Sequence, residues 1–403
     1  MSGNTKLLIA IWVMQFVNYA DRVVVSFAGP SMMKSLSIDT DTFGIVLSSF
    51  SLGYLLSQIP GGIIADKWGA RAVVIVGPLF WALFTGMTGL VSTIAALIAA
   101  RMLFGVSEGL SNAATYKLIG DNFAAEDRPK AMSIWVTALA IAPALTGPAV
   151  GMLLTSFGWH EVFLLLAVPA LAVAAVNFAL VPSGSPQAQN EENRATNAGF
   201  RSVLSEPSLW LICGAYGFWS IAYWGFLGWM PSYLALERHI DIKGAGILGG
   251  LPYVFGLCGG LAAGWAGAKI GSRGRPYFLA AVYLLACLAL FGAFASATLA
   301  LSVASLSITG LFMYAGLATY GAVVLDLAPG RARAAYAGIV STAGQIGGTL
   351  APTAIGYLVK ATGSFGAGFA FMSASLCIAA VCALALVPIK ARRQGRIAAQ
   401  VVN

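Results

Sequence analysis

Apolar residues run on in stretches of 20 or more along this chain, recurring about every 33 residues with short polar breaks between them. A helix needs ~20 apolar residues to cross the ~30 Å hydrocarbon layer of a bilayer, so the pattern predicts about twelve spans. They fall at residues 7–28, 43–65, 71–93, 95–118, 130–153, 160–181, 208–236, 244–268, 276–297, 299–327, 333–359 and 365–388. A soluble protein of 403 residues would instead form two or three domains with polar connections. The longest polar stretch, Pro182 to Pro207, divides the spans six and six and reads as a linker. The expected protein is all-α and membrane-embedded, with twelve transmembrane helices in two six-helix bundles. Its parts are an N-terminal bundle (1–181), a cytoplasmic linker (182–207), a C-terminal bundle (208–390) and a cytoplasmic tail (391–403).

Composition and charge orient this picture. Charged residues make up 9% of the chain, against roughly 25% in soluble domains, and the mean hydropathy is +0.82. With both termini in the cytoplasm, sixteen Lys and Arg at or beyond the span ends lie on that side and four (Lys34, Arg238, Lys243 and Lys360) on the other, a strong positive-inside bias. A multi-pass protein of a cell membrane is expected, the bacterial inner membrane being its natural setting. The net charge of +8 is spread over loops, so it makes no nucleic-acid-binding face; the bilayer is the partner it implies. Lys6 precedes an apolar run without a cleavage-like site, so the first span is expected to be retained. The five cysteines all fall in predicted spans and match no metal or redox spacing; they read as packing residues. No nucleophile, metal cluster or cofactor motif suggests an enzyme, and a monomer without cofactor is expected.

The two halves repeat each other. Leu145-Thr146-Gly147-Pro148 and Gly151 correspond to Leu350-Ala351-Pro352 and Gly356, and Ala179 to Pro182 corresponds to Ala385 to Pro388. The offsets are 204 for the first proline, 205 for the glycine and 206 for the last proline. A parallel repeat of six spans marks a large transporter fold whose substrate site lies between its halves near the bilayer midplane.

Four charges sit inside predicted spans: Asp21 and Arg22 in the first, Arg101 and Glu108 in the fourth. Each costs a few kcal/mol or more at that depth unless it faces protein or a water-filled cavity. Asn18 and Arg22 are four apart and share a helix face, whereas Asp21 projects about 100° away. Arg22 can offer a fork of donors to a carboxylate, while Asp21 faces a neighbouring helix. Arg101 and Glu108 are two turns apart, too far for tight pairing, so Arg101 is expected to meet Asp21 or Glu108 through neighbours. A carboxyl whose surroundings alternate between burial and a nearby arginine can load and release a proton. The bland alternative is a permanent ion-pair network holding the N-terminal bundle together.

Between spans two and three, Gly62 to Arg71 (with Asp66, Lys67 and Gly69) resembles the G-x-x-x-D-[RK]-x-G-x-[RK] loop of the major facilitator superfamily. That resemblance makes Asp66 and Arg71 parts of a cytoplasmic gate, Asp66 facing a helix start of the other half. The second copy, Gly264 to Gly271, has Ala268 in place of the Asp, so any latch is one-sided. Asn18-Tyr19-Ala20-Asp21-Arg22 resembles the N-Y-x-D-R motif of the anion:cation symporter branch. That branch includes bacterial sugar-acid, tartrate and phthalate permeases and sialin-type carriers. Gln58 to Gly62, Trp229 to Leu234 and Leu325 to Pro329 match it in order. The resemblance implies substrate contacts from Tyr19, Arg22 and Tyr54, and proton uptake by Asp21 and Glu108 with Arg101 beside them.

Weaker candidates complete the set. Trp224 and Tyr216 of the aromatic seventh span, with Ser341 and Gln345 of the eleventh, are placed against the substrate, and Asp326 near the end of the tenth span at a gate. Relative to the sugar-acid members, polar amides are replaced by Leu139, Tyr216 and Ser341, which suits a less hydroxylated or partly aromatic carboxylate. The expected function is proton-coupled uptake of a small organic carboxylate, with protons as the second partner. An anion exchanger is the alternative, and a drug/proton antiporter the weaker one.

Overall fold

An apolar run of about 20 residues satisfies its own backbone N–H and C=O groups away from water by forming a helix. Among the described residues of the computed structural model (3–124, 126–182, 203–328 and 333–402) the chain is helical, with no strand. The helices are α1 (Gly3–Leu36), α2 (Thr40–Trp68), α3 (Ala70–Leu90), α4 (Ile94–Asn122), α5 (Arg128–Ser156), α6 (Trp159–Leu180) and α7 (Pro207–Ser232). A π turn, Tyr233–Glu237, prolongs α7. The stretch Ile242–Ala295 is broken at Gly271, whose φ of 70° is not helical, into α8 (242–270) and α9 (272–295). Then follow α10 (Leu299–Leu327), α11 (Arg333–Thr362) and α12 (Gly366–Val402). Residues 183–202 of the predicted linker, with Arg194 and Arg201, and Pro329 and Arg331 lie outside the described residues.

Among the described residues, nine segments are long and apolar enough to cross a membrane, Ile242–Ala295 counted once. Aromatic rings in α7, and Gly, Ser and Thr in α11, lower the hydropathy of those two helices below the others. The stretch predicted as a loop around Asp66 is mostly helix: α2 runs to Trp68, and Gly69 alone turns the chain into α3. Its φ of 88° is open to glycine at little steric cost. Gly271 makes the matching break in the second copy of the motif.

The chain forms two compact units. The first comprises the described residues within 3–182, 227–251 and 352–364. Within it α2 packs along α4, α3 along α6 and α1 along α5. Close approach of α2 and α4 depends on small residues, as in membrane bundles generally. A side chain on Gly53 would strike the Met102 carbonyl, and one on Gly105 the Phe50 carbonyl. In the same unit, a Cβ on Gly44 of α2 would lie 2.6 Å from the Pro352 carbonyl of α11, and one on Gly246 of α8 2.5 Å from the Gly147 carbonyl of α5. Thr40 donates to the Gly356 carbonyl at 2.9 Å and Thr353 to Ser48 at 2.7 Å. Lys360, at the end of α11, pairs with Asp39 and Asp41 at 3.0 and 2.9 Å; hydrogen bonding to these carboxylates raises its pKa.

The second unit comprises the described residues within 203–226, 252–351 and 365–402. It repeats the α2/α4 contact between α8 and α10: Gly259 faces the Leu311 carbonyl and Gly310 the Pro252 carbonyl. Gly259 and Gly310 stand 206 and 205 positions after Gly53 and Gly105, so the repeat read from the prolines extends to the packing seams. The five cysteines are free thiols.

Candidate functional site

In the first unit α1 and α4 bring the intramembrane charges together. Asp21, Arg22, Arg101 and Glu108 are 1%, 8%, 2% and 3% exposed. Arg22 is ion-paired with Glu108. Its guanidinium lies over three rings, 4.6 Å from the centroid of Tyr19, 4.8 Å from Phe50 and 5.2 Å from Tyr54. Such a cage favours a desolvated cation, by up to about 2 kcal/mol per well-placed ring. The Tyr54 hydroxyl accepts a hydrogen bond from Asn112 Nδ2 at 2.6 Å.

The second acid has a different neighbourhood. Asp21 accepts a hydrogen bond from the Thr85 hydroxyl of α3 at 2.8 Å, and the Arg101 charge acts on it electrostatically. Arg101 lies 4.5 Å over the Phe104 ring and forms no ion pair among the described residues. Its Nε and Nη1, Glu108 Oε2 and Asn18 Nδ2 are buried and make no hydrogen bond among the described residues. Buried polar atoms in that condition are costly, and here they cluster around one arginine–glutamate pair. The cluster has the means to bind an anion and to hold a proton.

Sequence reasoning placed Arg22 against a substrate carboxylate and set Arg101 between the acids. The structure gives Glu108 to Arg22 itself. Thr85, Asn112 and Phe50 were missed. Asn112 carried a signal, being one turn from Glu108 on the same face; a single buried threonine such as Thr85 carried none.

At one end of the first unit Asp66 is ion-paired with Lys117 of α4. Arg71 turns elsewhere, donating from Nε to the Val181 carbonyl at 2.9 Å and from Nη2 to the Phe178 carbonyl at 3.1 Å. It thereby caps the end of α6, where a cation meets the negative end of the helix dipole. The second unit carries the reverse arrangement. Arg275, just after the second glycine break, donates to Asp326 of α10 at 2.8 Å and to the Gly267 carbonyl at 3.1 Å. The acid sits on the α2 side in one unit and on α10 in the other.

The remaining candidates lie in the second unit. Tyr216 of α7 stacks on Tyr320 of α10 with centroids 3.9 Å apart and planes 9° apart, and on Trp219 at 5.5 Å. Trp224 meets Tyr223 edge-on at 5.6 Å. Ser341 and Gln345 are half-buried on α11.

Comparison with known proteins gives this arrangement its context. The Major Facilitator Superfamily pattern matches residues 11–313 and 274–401. The hexuronate transporter of Bacillus subtilis (strain 168) is 27% identical over 88% of this chain and 87% of its own length. The probable galactarate/D-glucarate transporter GudP of the same organism is 29% identical over 95% and 92%. A bacterial homologue of the human lysosomal transporter Spinster, solved in an inward-facing, occupied conformation, shares the fold. Its TM-score is 0.79 at 17% identity, over 97% of each chain.

Proposed function

Since the chain belongs to the Major Facilitator Superfamily and is a multi-pass membrane transporter rather than an enzyme, we propose that it takes up an organic carboxylate together with protons, by alternating access. The relatives named as hexuronate and galactarate/D-glucarate transporters support an acidic cargo. The observation that carries the coupling is the Arg22–Glu108 ion pair. An incoming carboxylate competes with Glu108 for the same guanidinium. Once displaced, Glu108 is a buried anion without its counter-charge, which is costly, and taking up a proton removes that charge. Anion binding and proton binding then favour each other, and release of either on the far side restores the pair.

In this reading Arg22 grips the carboxylate, with Tyr19, Tyr54 and Asn18 around it. Tyr216, Trp224, Ser341 and Gln345 contact the rest of the cargo. Asp21 and Glu108 carry the protons, with Arg101 setting the field around Asp21. Asp66, Arg71 and Asp326 belong to the cytoplasmic gate, both termini face the cytoplasm, and the protein works as a monomer. An exchanger often has a basic residue in each half, whereas no Lys or Arg lies deep in a predicted span of residues 208–390; this favours symport. The test is uptake by purified protein in proteoliposomes under an imposed pH gradient, inside alkaline, over a panel of carboxylates. Accumulation above equilibrium with proton entry supports symport. Movement only into vesicles preloaded with anion makes the protein an exchanger.

A further inference from the structure

Resting on the carboxylate-transport reading, we infer that the cargo is a carboxylate with a flat aromatic body, and that Tyr216 and Tyr320 select it over open-chain hydroxylated acids. The first observation is a chemical asymmetry in the chain. Residues 208–390 contain no asparagine and a single glutamine, Gln345. The N-terminal half, in contrast, buries Asn18 and holds Asn112 beside Tyr54. A polyhydroxylated cargo needs both donors and acceptors along its length, and each hydroxyl left unpaired in a dry site costs about tenfold in affinity. Residues 208–390 have one amide to offer.

The second observation is what stands there instead. Ser341, Gly344, Gln345 and Gly348 follow the i, i+3, i+4, i+7 spacing of a single α11 face. A Cβ on Gly344 would strike the Tyr216 ring, and one on Gly348 would lie 2.5 Å from the Trp224 ring. The two glycines therefore seat two aromatic rings on the stripe that carries the lone amide. Tyr216 continues into a parallel stack with Tyr320, 3.9 Å between centroids and 9° between planes. Behind them Trp219, Tyr223 and Tyr283 are buried and fill the core, whereas Tyr216, Tyr320 and Trp224 are only half-buried. The buried rings are packing. The half-buried ones keep part of their surface accessible, and on this proposal an aromatic cargo adds to it by offset stacking while Gln345 meets one ring substituent.

The experiment is competition in proteoliposomes under a pH gradient, comparing benzoate, phenylacetate and phthalate with galactarate, D-glucarate and glucuronate. Aromatic acids are expected to be taken up at least ten times more efficiently. In Tyr216→Leu that ratio should fall at least tenfold, while Tyr216→Phe should keep it. A merely structural tyrosine would lower both classes together and leave the ratio unchanged, which overturns the proposal. Should Tyr216→Leu fail to fold, the wild-type ratio decides alone. Preference for the hydroxylated acids overturns the aromatic assignment and leaves carboxylate transport standing. Selective binding of aromatic acids without pH-driven uptake supports the assignment and overturns the coupling.

Discussion

Arg22 of α1 is ion-paired with Glu108 of α4 beneath the rings of Tyr19, Phe50 and Tyr54, and both partners are buried. One guanidinium thus serves an internal carboxylate and, in the function proposed above, the carboxylate of the cargo. The two uses exclude each other. Linkage between cargo and proton needs no long-range relay on this account, only competition at one side chain.

Arg22→Ala removes the shared partner. Substrate affinity is expected to fall at least 100-fold, about 3 kcal/mol, a loss typical of truncating one member of a buried charge pair. Arg22→Lys should recover little, because an ammonium does not reproduce a planar fork. Part of any loss could reflect Glu108 left uncompensated, so the Arg22→Ala, Glu108→Gln double variant is the control: stability should return and binding should not. Equilibrium binding by calorimetry, with Tm measured alongside, checks both.

Thr85→Val tests the second acid. It deletes the hydroxyl that donates to Asp21 at 2.8 Å while keeping the shape of the side chain. Losing a hydrogen bond to a charged group costs about 1.5–3 kcal/mol, and what is lost is support for the ionised carboxylate. The pH profile of uptake should therefore move to higher pH with substrate affinity little changed. An unmoved profile would make Asp21 a structural residue.

Asp66 and Lys117 form the end-of-unit pair, their side chains 61% and 29% exposed. At that exposure the pair contributes at most about 1 kcal/mol, so Asp66→Lys should scarcely alter Tm. It should bias the carrier towards cytoplasmic opening, read as increased labelling of engineered cysteines from that side. The second unit uses the reverse polarity, Arg275 with Asp326. Swapping the charges (Asp66→Lys with Lys117→Asp) should accordingly restore wild-type labelling. If the swap behaves like the single variant, the pair is not the determinant.

Much of this was legible in the sequence. Run lengths placed the helices, and the 204–206 offsets exposed a repeat that the structure carries into Gly53/Gly259 and Gly105/Gly310. Gly69 and Gly271 announced the chain breaks, although the stretch before Gly69 proved helical rather than looped. The partner of Arg22 could not be read. Spacing within one helix fixes which residues share a face, and so it aligned Arg101 with Glu108. Which arginine reaches Glu108 depends on how α1 meets α4, which packing between helices decides. Thr85 was invisible for the same reason, being a contact across helices without local periodicity.

The measurement that bears most directly on the account is proton-driven accumulation by Glu108→Gln in proteoliposomes, beside its substrate binding and exchange. Neutral glutamine imitates a permanently protonated glutamate and frees Arg22 for the cargo. The account predicts binding as tight as wild type or tighter, retained exchange between anion-loaded compartments, and no net uptake driven by a pH gradient. Accumulation of substrate by Glu108→Gln on a pH gradient alone would contradict it and leave Glu108 as a structural counter-ion.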